Sequence, residues 1–246
     1  MKRLIILPSA LLLILIGCDR EDAHDIFKTR GEAVVEYTEL PVFNAINVHN
    51  DINVVLTQGN IYAATIESWK NLMPKIHLSV DDNGVLLIED KNNFNFVRSR
   101  DNITTIYLTF SGELNVINFS GNGTIMSNDT ISISGLTILS ENASGDVDLK
   151  LKTESIGIGT NHGNSASITI TGASNSVGVT NWGYSPINLL DLKTSFADIH
   201  HHGLSNIYVN VSGTLSVTLY GVGNVYYTGN PSITLTRKGR GNLFKY

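Results

Sequence analysis

The 246-residue chain contains one cysteine, five prolines and only 16% charged residues. A single cysteine excludes any disulfide within the chain. The formal net charge of −5 and the scarcity of Lys and Arg argue against nucleic acid as a partner, because phosphate contacts need clustered cations. The apolar run from Leu4 to Ile16 falls short of the roughly twenty residues that span a bilayer. The chain is therefore expected to lack disulfides, a membrane span and a nucleic-acid interface.

The N-terminus has the form of a secretory signal. Lys2 and Arg3 precede the apolar run, and the sequence Leu-Ile-Gly-Cys ending at Cys18 resembles the lipobox of bacterial lipoproteins, in which the cysteine is lipidated after cleavage. We predict a signal peptide over residues 1–17 and a polar tether over residues 18–36 that begins at the lipidated Cys18, the anchor to the membrane. Acidic residues directly behind Cys18 resemble a surface-export signal of Bacteroidetes lipoproteins. This implies a surface-exposed outer-membrane lipoprotein, with a periplasm-facing anchor as the alternative.

A repeat of about twenty residues organises the second half of the chain. The triplet Asn161-His162-Gly163 returns as Asn181-Trp182-Gly183, as His201-His202-Gly203 and as Gly221-Val222-Gly223. Apolar residues two positions apart flank these triplets, which indicates strands with one buried face and disfavours helices. The pattern predicts an all-β, single-stranded parallel β-helix with rungs of about twenty residues, forming one domain over residues 37–246. A β-sandwich of short strands is the alternative.

The corners of the predicted rungs are expected to be sharp turns. The residues two places before the repeated glycines include Asn161, Asn181 and His201, types that tolerate a left-handed backbone. We therefore expect left-handed corners at these three positions.

The region before the repeats alternates apolar and polar residues over 43–59 and predicts a hairpin that joins 76–80 to 85–89 through a turn ending at Gly84. A single helical turn is expected from Ser68 to Met73, stopped by Pro74. We expect this region to form an N-terminal β cap, because an open first rung would expose unpaired backbone groups.

The order of these features resembles the GIN domain of auto-transporter adhesin heads. The resemblance is carried by the opening Phe43-x-x-Ile46-x-Val48, the following strand that ends at Gly59, the glycine-punctuated rungs, and the closing Gly239-Arg240-Gly241. It covers about residues 43–246. It implies a right-handed parallel β-helix, a Bacteroidetes-type lipoprotein and an adhesive role, and it brings no catalytic residues with it.

An enzyme is the rival interpretation, because β-helices that cleave polysaccharides place carboxylates on neighbouring rungs. Asp146 and Asp148 share a strand face, but the repeat assigns neither of them a carboxylate neighbour: Thr124 and Asn164 flank Asp146, and Met126 and Ala166 flank Asp148. His200 and His202 could begin a zinc site, yet the repeat supplies no third ligand. We expect no catalytic residue, no metal and no cofactor.

A corner ladder is the candidate ligand surface. His162, Trp182 and His202 precede the repeated glycines, with Tyr184, Tyr208 and Tyr220 expected nearby, and outward aromatic rings can receive the apolar face of a sugar. Thr130, in Asp-Thr-Ile, resembles an O-glycosylation site of secreted Bacteroidetes proteins. The sequence thus favours a lipid-anchored, non-catalytic, adhesin-like envelope module for glycans or other cell-surface ligands. A carbohydrate-active β-helix enzyme and a purely structural envelope protein are the alternatives, and the oligomeric state stays open.

Overall fold

The computed structural model describes residues 31–92 and 103–246. Strands make up 65% of it and form a parallel β-solenoid of about 6 turns, which confirms the predicted fold class. The seventeen strands are β1 Ala33–Glu39, β2 Ala45–His49, β3 Ile52–Gln58, β4 Ala63–Trp69, β5 Ile76–Val80, β6 Val85–Asp90, β7 Thr104–Phe110, β8 Val116–Ser120, β9 Thr124–Ser127, β10 Ile131–Ser140, β11 Asp146–Thr160, β12 Ser167–Asn181, β13 Ile187–His201, β14 Ile207–Leu219, β15 Val225–Thr228, β16 Ser232–Arg237 and β17 Leu243–Lys245. The predicted signal peptide, Cys18 and most of the tether lie outside the described residues.

Aliphatic side chains stack in columns through the centre of the solenoid. Each strand from β10 to β14 pairs in parallel with the next, so residues at the same place in successive rungs lie above one another. One column consists of Ile158, Val179, Ile199 and Val217, all buried. Burial of a side chain of this size contributes about 1.5–3 kcal/mol. The columns therefore bind the rungs together along the whole axis.

The N-terminal region does more than close the first rung. β2 lies between β6 and β8, and β3 lies between β7 and β9, all in parallel. The rung formed by β2 and β3 comes first in the chain, but in space it lies second, between the rung of β6 and β7 and the rung of β8 and β9. The buried faces of β2 and β3 explain this position, since Ile46, Val48 and Val54 are fully buried and need an apolar rung on each side.

Antiparallel strands form the cap at this end. β1 pairs with β4, β4 pairs with β7, and β5 pairs with β6 in the predicted hairpin. Residues 33–36, which the sequence assigns to the tether, belong to β1, so the folded unit begins before residue 37. The expected helical turn is displaced: a 3₁₀ helix covers Met73–Lys75 and contains Pro74 in its first turn, where proline is tolerated.

The left-handed corners are elsewhere than expected. Among the described residues, the only non-glycine positions with positive φ are Asn50 (69°) and Asn142 (52°). Asn161, Asn181 and His201 do not adopt this conformation, so that prediction is wrong. Asn181 and His201 are instead the last residues of β12 and β13, with side chains that point inward.

Three of the four repeated glycines, Gly183, Gly203 and Gly223, reflect close stacking of the corners, whereas Gly163 has open space around it and a positive φ of 82°. A Cβ at Gly183 would overlap the carbonyl oxygens of Asn161 and Asn164, and a Cβ at Gly203 would overlap that of Gly183. The backbones of successive corners therefore approach too closely for any side chain.

The rung length varies around the expected twenty residues. Thr160 pairs with Asn181, Asn181 with His201, and His201 with Leu219, which are steps of 21, 20 and 18. Because the last step is short, His202 lies beside Tyr220 and not beside Val222, its partner in the sequence repeat.

At the C-terminal end, β16 pairs with β14 and β17 pairs with β15. No strand in the described parts of the chain pairs with the outer edges of β16 and β17. Within the same parts, no helix has the length and apolar character needed to cross a membrane.

Candidate functional site

An aromatic column runs along one outer corner of the solenoid. The ring centroids of Trp182 and His202 lie 3.6 Å apart with planes 12° from parallel, and those of His202 and Tyr220 lie 4.0 Å apart at 5°. His162 meets Trp182 edge-on, with centroids 5.0 Å apart and planes at 61°. We call His162, Trp182, His202 and Tyr220 the corner column. The structure thus brings together three of the four predicted surface residues.

The corner column exposes ring edges more than ring faces. Parallel rings less than 4.5 Å apart cover each other's faces, so the solvent side of Trp182, which is 41% exposed, is largely an edge. At the C-terminal end of the column, the Lys238 ammonium lies 4.8 Å from the centroid of Tyr220. This distance is typical of a cation–π contact. Lys238 therefore extends the column by one rung.

The fourth predicted residue, Tyr184, lies outside the column. It is 53% exposed, and its backbone carbonyl accepts a hydrogen bond from the Ser205 hydroxyl. Leu204 and Val222 are exposed on the following rungs. Tyr184, Leu204 and Val222 thus add an apolar surface two residues further along the chain from Trp182, His202 and Tyr220.

A buried polar pair holds the corners from inside. Asn181 is fully buried; its Oδ1 accepts hydrogen bonds from the Thr160 hydroxyl at 2.7 Å and the Gly183 N–H at 3.2 Å, and its Nδ2 donates to the Ser185 carbonyl at 2.9 Å. Since a buried unpaired polar group costs about 1–3 kcal/mol, these bonds fix the turn that presents Trp182.

His201 performs the same role one rung later. The Gly203 N–H donates to its Nδ1 at 3.3 Å, so its Nε2 carries the proton and donates to the Ser205 carbonyl at 2.7 Å. Desolvation lowers the pKa of His201 below its ordinary value, because burial disfavours the charged ring. The neutral ring is therefore the form that closes this corner.

The outward histidines differ from His201. Desolvation, together with repulsion from His200 and His162, lowers the pKa of His202, which favours a neutral ring inside the stack. His200 and Asp198 lie two positions apart on β13, with His200 Nε2 3.3 Å from Asp198 Oδ2. The stacked His202 thus acts as an aromatic ring near neutral pH.

A second aromatic column lies on the next face, six residues along the chain from the first. Tyr208 and Tyr226 stack with centroids 5.0 Å apart, and Tyr226 and Phe244 with centroids 5.4 Å apart. Tyr246 packs edge-on against Tyr208 and Tyr226. We call Tyr208, Tyr226 and Phe244 the tyrosine column.

Asp146 and Asp148 have no acidic partner on the rungs that flank them. Asp146 pairs with Thr124 and Ser167, and Asp148 pairs with Met126 and Thr169. The neighbours expected on the following rung, Asn164 and Ala166, are wrong because the step to that rung is 21 residues and not the 18 that separate Gly145 from Gly163. Neither aspartate has a carboxylate beside it on an adjacent rung. Across the described residues, no group of three or more His, Cys, Asp or Glu is placed to hold a metal ion.

Two predicted modification sites remain. Thr130 is exposed in the loop between β9 and β10. Cys18 lies outside the described residues. Both assignments stay predictions.

Sequence reasoning placed Tyr208 and Tyr220 near the ladder but missed that Tyr220 stacks in it, and it missed the tyrosine column and the inward role of His201. The alternation contained a signal for the last: Asn181 and His201 point inward because Trp182 and His202, one position later, point outward. No sequence signal fixed the 18-residue step that brings Tyr220 beside His202, since the repeated glycines Gly203 and Gly223 are 20 residues apart.

The architecture just described has known relatives. A family model described as "Putative auto-transporter adhesin, head GIN domain" matches residues 42–231. The chain belongs to this GIN-domain family. The resemblance inferred from the sequence is therefore confirmed. The match includes the whole corner column, whereas Lys238, which lies over Tyr220, is beyond residue 231.

Solved structures agree with this fold. A protein from Bacteroides fragilis described as an adhesin is 21% identical, with a TM-score of 0.76, and the match covers 87% of this chain and 97% of that one. One from Parabacteroides merdae, also described as an adhesin, is 17% identical, with a TM-score of 0.65 over 88% and 97%. A third, from Parabacteroides distasonis and described as a lipid binding protein, is 18% identical, with a TM-score of 0.66 over 88% and 97%. No curated protein matches the chain significantly.

Proposed function

We propose that this GIN-domain protein is a lipid-anchored, non-catalytic binding module of the bacterial envelope, adhesin-like in action, whose ligands are glycans or other cell-surface molecules. The observation that carries the proposal is the pair of outward aromatic columns held on a rigid solenoid. Aromatic side chains fixed by stacking lose little conformational entropy on binding, which favours their use as contact surfaces.

The anchor is inferred from Cys18. It is the only cysteine, and it directly follows the apolar segment of a secretory signal. A lipidated Cys18 would place the cap end of the solenoid nearer the membrane, since β1 follows the tether. The acidic residues behind Cys18 favour the outer surface over the periplasmic side.

The stacking geometry changes how a glycan would be recognised. The faces of Trp182 and His202 are occupied by each other, so a sugar would meet ring edges along the corner column and the apolar side chains of Tyr184, Leu204 and Val222 beside it. Such a shallow, extended surface suits a polymer better than a small molecule enclosed in a pocket.

An enzymatic function receives no support from the placement of the carboxylates. Glycoside cleavage needs two carboxyl groups about 5–10 Å apart around the scissile bond. Asp146 and Asp148 lie two apart on one strand face, but both are exposed to solvent and have only Thr, Ser and Met as neighbours on the flanking rungs. We therefore retain the binding module as the single proposal.

Binding can be tested with the full-length protein in mild detergent on an array of glycans and extracellular-matrix proteins. Trp182→Ala together with Tyr184→Ala should reduce binding at least tenfold, while Tyr107→Ala, an exposed tyrosine on β7, should leave it unchanged. Equal binding by the wild type, the Trp182→Ala and Tyr184→Ala double variant, and the Tyr107→Ala variant would overturn the assignment of the ligand surface to the corner column and Tyr184.

Anchoring can be tested separately. Cys18→Ala should abolish the incorporation of labelled palmitate and release the protein from the outer-membrane fraction. Continued labelling of the variant would refute the lipobox interpretation.

A further inference from the structure

Positive charge is concentrated on the last rung of the solenoid. Residues 232–245, which we call the terminal rung, contain every Lys and Arg found after Lys193, and no Asp or Glu follows Asp198. The four cations are Arg237, Lys238, Arg240 and Lys245, and all are exposed. Over the described parts of the chain, no carboxylate forms an ion pair with any of them. A protein of net negative charge therefore has one end that is locally cationic.

The opposite end has the reverse charge. Residues 31–92, which contribute the cap strands β1, β4 and β5, contain nine Asp or Glu and three Lys. One face of the solenoid runs β5, β6, β2, β8, β10, β11, β12, β13, β14 and β16, and a strand spacing of about 4.8 Å puts its two ends about 40 Å apart. The charges are thus separated along the axis by several Debye lengths at physiological salt.

Both aromatic columns end on this cationic rung. Lys238 lies over Tyr220 at the end of the corner column, and Phe244 is the last ring of the tyrosine column and is 44% exposed. Lys245 donates to the Asn230 side chain at 2.8 Å, which fixes its ammonium near the rung. Thr234 and Thr236 add exposed hydroxyls on β16. Cations, ring surfaces and hydroxyls are the groups that contact carboxylated or sulfated sugars.

We propose that the terminal rung binds an anionic polysaccharide, with its carboxylate or sulfate groups paired to Lys238 and Arg240 and a sugar ring packed against Phe244. This inference rests on the proposed function and names the chemical class of the ligand.

Other occupants fit less well. A second copy of this chain would have to bind the terminal rung through its own acidic cap. The cap lies beside the proposed anchor, whereas the terminal rung lies about 40 Å along the axis from the cap. Two copies in the same membrane would therefore hold the two surfaces at different heights. Nucleic acid would meet four cations on a protein whose remaining surface is acidic, whereas phosphate binding needs an extended basic surface. A flexible glycan chain can instead reach the terminal rung alone.

The experiment measures binding of the full-length protein in mild detergent to polygalacturonate and dextran sulfate, with dextran as the neutral counterpart and double-stranded DNA as a second polyanion. We expect binding to both anionic glycans, a large loss between 50 mM and 500 mM NaCl, and weak binding to dextran and DNA. Lys238→Gln with Arg240→Gln should weaken binding to the anionic glycans at least tenfold.

The matched control is Lys150→Gln with Lys152→Gln, which removes the same charge from exposed positions on β11, far from the terminal rung. It should change binding less than twofold. Phe244→Ala should weaken binding to the glycans severalfold and leave binding to DNA unaltered, since only a sugar ring uses that surface.

Three results would overturn the proposal: an equal loss from the control pair, DNA binding as tight as glycan binding with no effect of Phe244→Ala, or a dimer in sedimentation that dissociates on Lys238→Gln with Arg240→Gln. Binding of neutral glycans that is insensitive to these variants but lost on Trp182→Ala would overturn this inference while supporting the proposed function. An absence of binding to any glycan or matrix protein would contradict both.

Discussion

The two ends of the solenoid reach the same parallel stacking by different routes. From β10 to β14 each rung follows its predecessor in the chain, and the period of about twenty residues is visible in the sequence. In the N-terminal region β2 and β3 are inserted between β6 and β8 and between β7 and β9, and no period is visible. The comparison shows that a strand joins the solenoid because its apolar residues alternate and can be buried. The order of the rungs along the chain determines only how easily the repeat is recognised in the sequence.

The two regions also end differently. Antiparallel strands β1, β4 and β5 cover the N-terminal side, so the last apolar rung there is protected. At the C-terminal side Ile233, Leu235 and Phe244 are exposed on the terminal rung, beside four exposed cations. One end therefore closes the core, while the other carries the surface to which we assign the proposed ligand.

The largest expected effect compares core positions across the two regions. Ile199→Ala and Ile46→Ala should each destabilise the protein by about 2–5 kcal/mol, because both side chains are fully buried between two rungs. Ile233→Ala, at the exposed end, should cost clearly less. Urea unfolding measures the three values; a small cost for Ile46→Ala would contradict the interior position of β2.

Asn181→Val should destabilise the protein by about 3 kcal/mol, because it leaves the Thr160 hydroxyl, the Gly183 N–H and the Ser185 carbonyl without their partner. Asn181→Gly should be destabilising too, since glycine supplies no amide. Thermal unfolding distinguishes this from a left-handed corner, at which glycine would be neutral or favourable.

Gly183→Ala should cost about 1–3 kcal/mol, because its Cβ would displace the carbonyls of the preceding corner. Gly178→Ala, on β12 just before this corner, is the control. Its Cβ would meet no atom closer than 4.0 Å, so the change should be neutral or slightly stabilising. Equal effects of the two changes would argue against close stacking of the corners.

A pH dependence should distinguish His201 from the N-terminal rungs, which have no buried histidine among their described residues. The folded-state pKa of His201 is lowered, so its stabilising effect is complete above the unfolded pKa of about 6.5 and declines as the pH falls below it. Wild-type stability should therefore fall between pH 7 and pH 5 more steeply than that of His201→Asn. Parallel curves would show that another group is responsible.

The smallest expected effect concerns Thr130. Because its side chain is exposed, Thr130→Ala should leave stability within about 0.5 kcal/mol of the wild type, yet remove a hexose-containing mass from the natively expressed protein. Intact-mass spectra that are free of such a mass in both proteins would remove the glycosylation hypothesis.

The sequence alone determined the solenoid and much of its candidate surface. Alternating apolar residues and repeated glycines report burial and close backbone approach, which are local constraints and so remain readable from the order of residues. His162, Trp182 and His202 could be aligned because their rungs differ by about one residue from the average.

Only the tertiary structure decided which residues stand next to each other where the period fails. The 18-residue step that places Tyr220 against His202, the insertion of β2 and β3 between later strands, and the gathering of both columns on a cationic end all depend on pairing between distant segments. Pairing of this kind is selected by the packing of whole rungs, since a shift of one residue would turn every buried side chain outward. Asn181 and His201 could therefore be identified as corner residues from the sequence, but their inward hydrogen bonds could not.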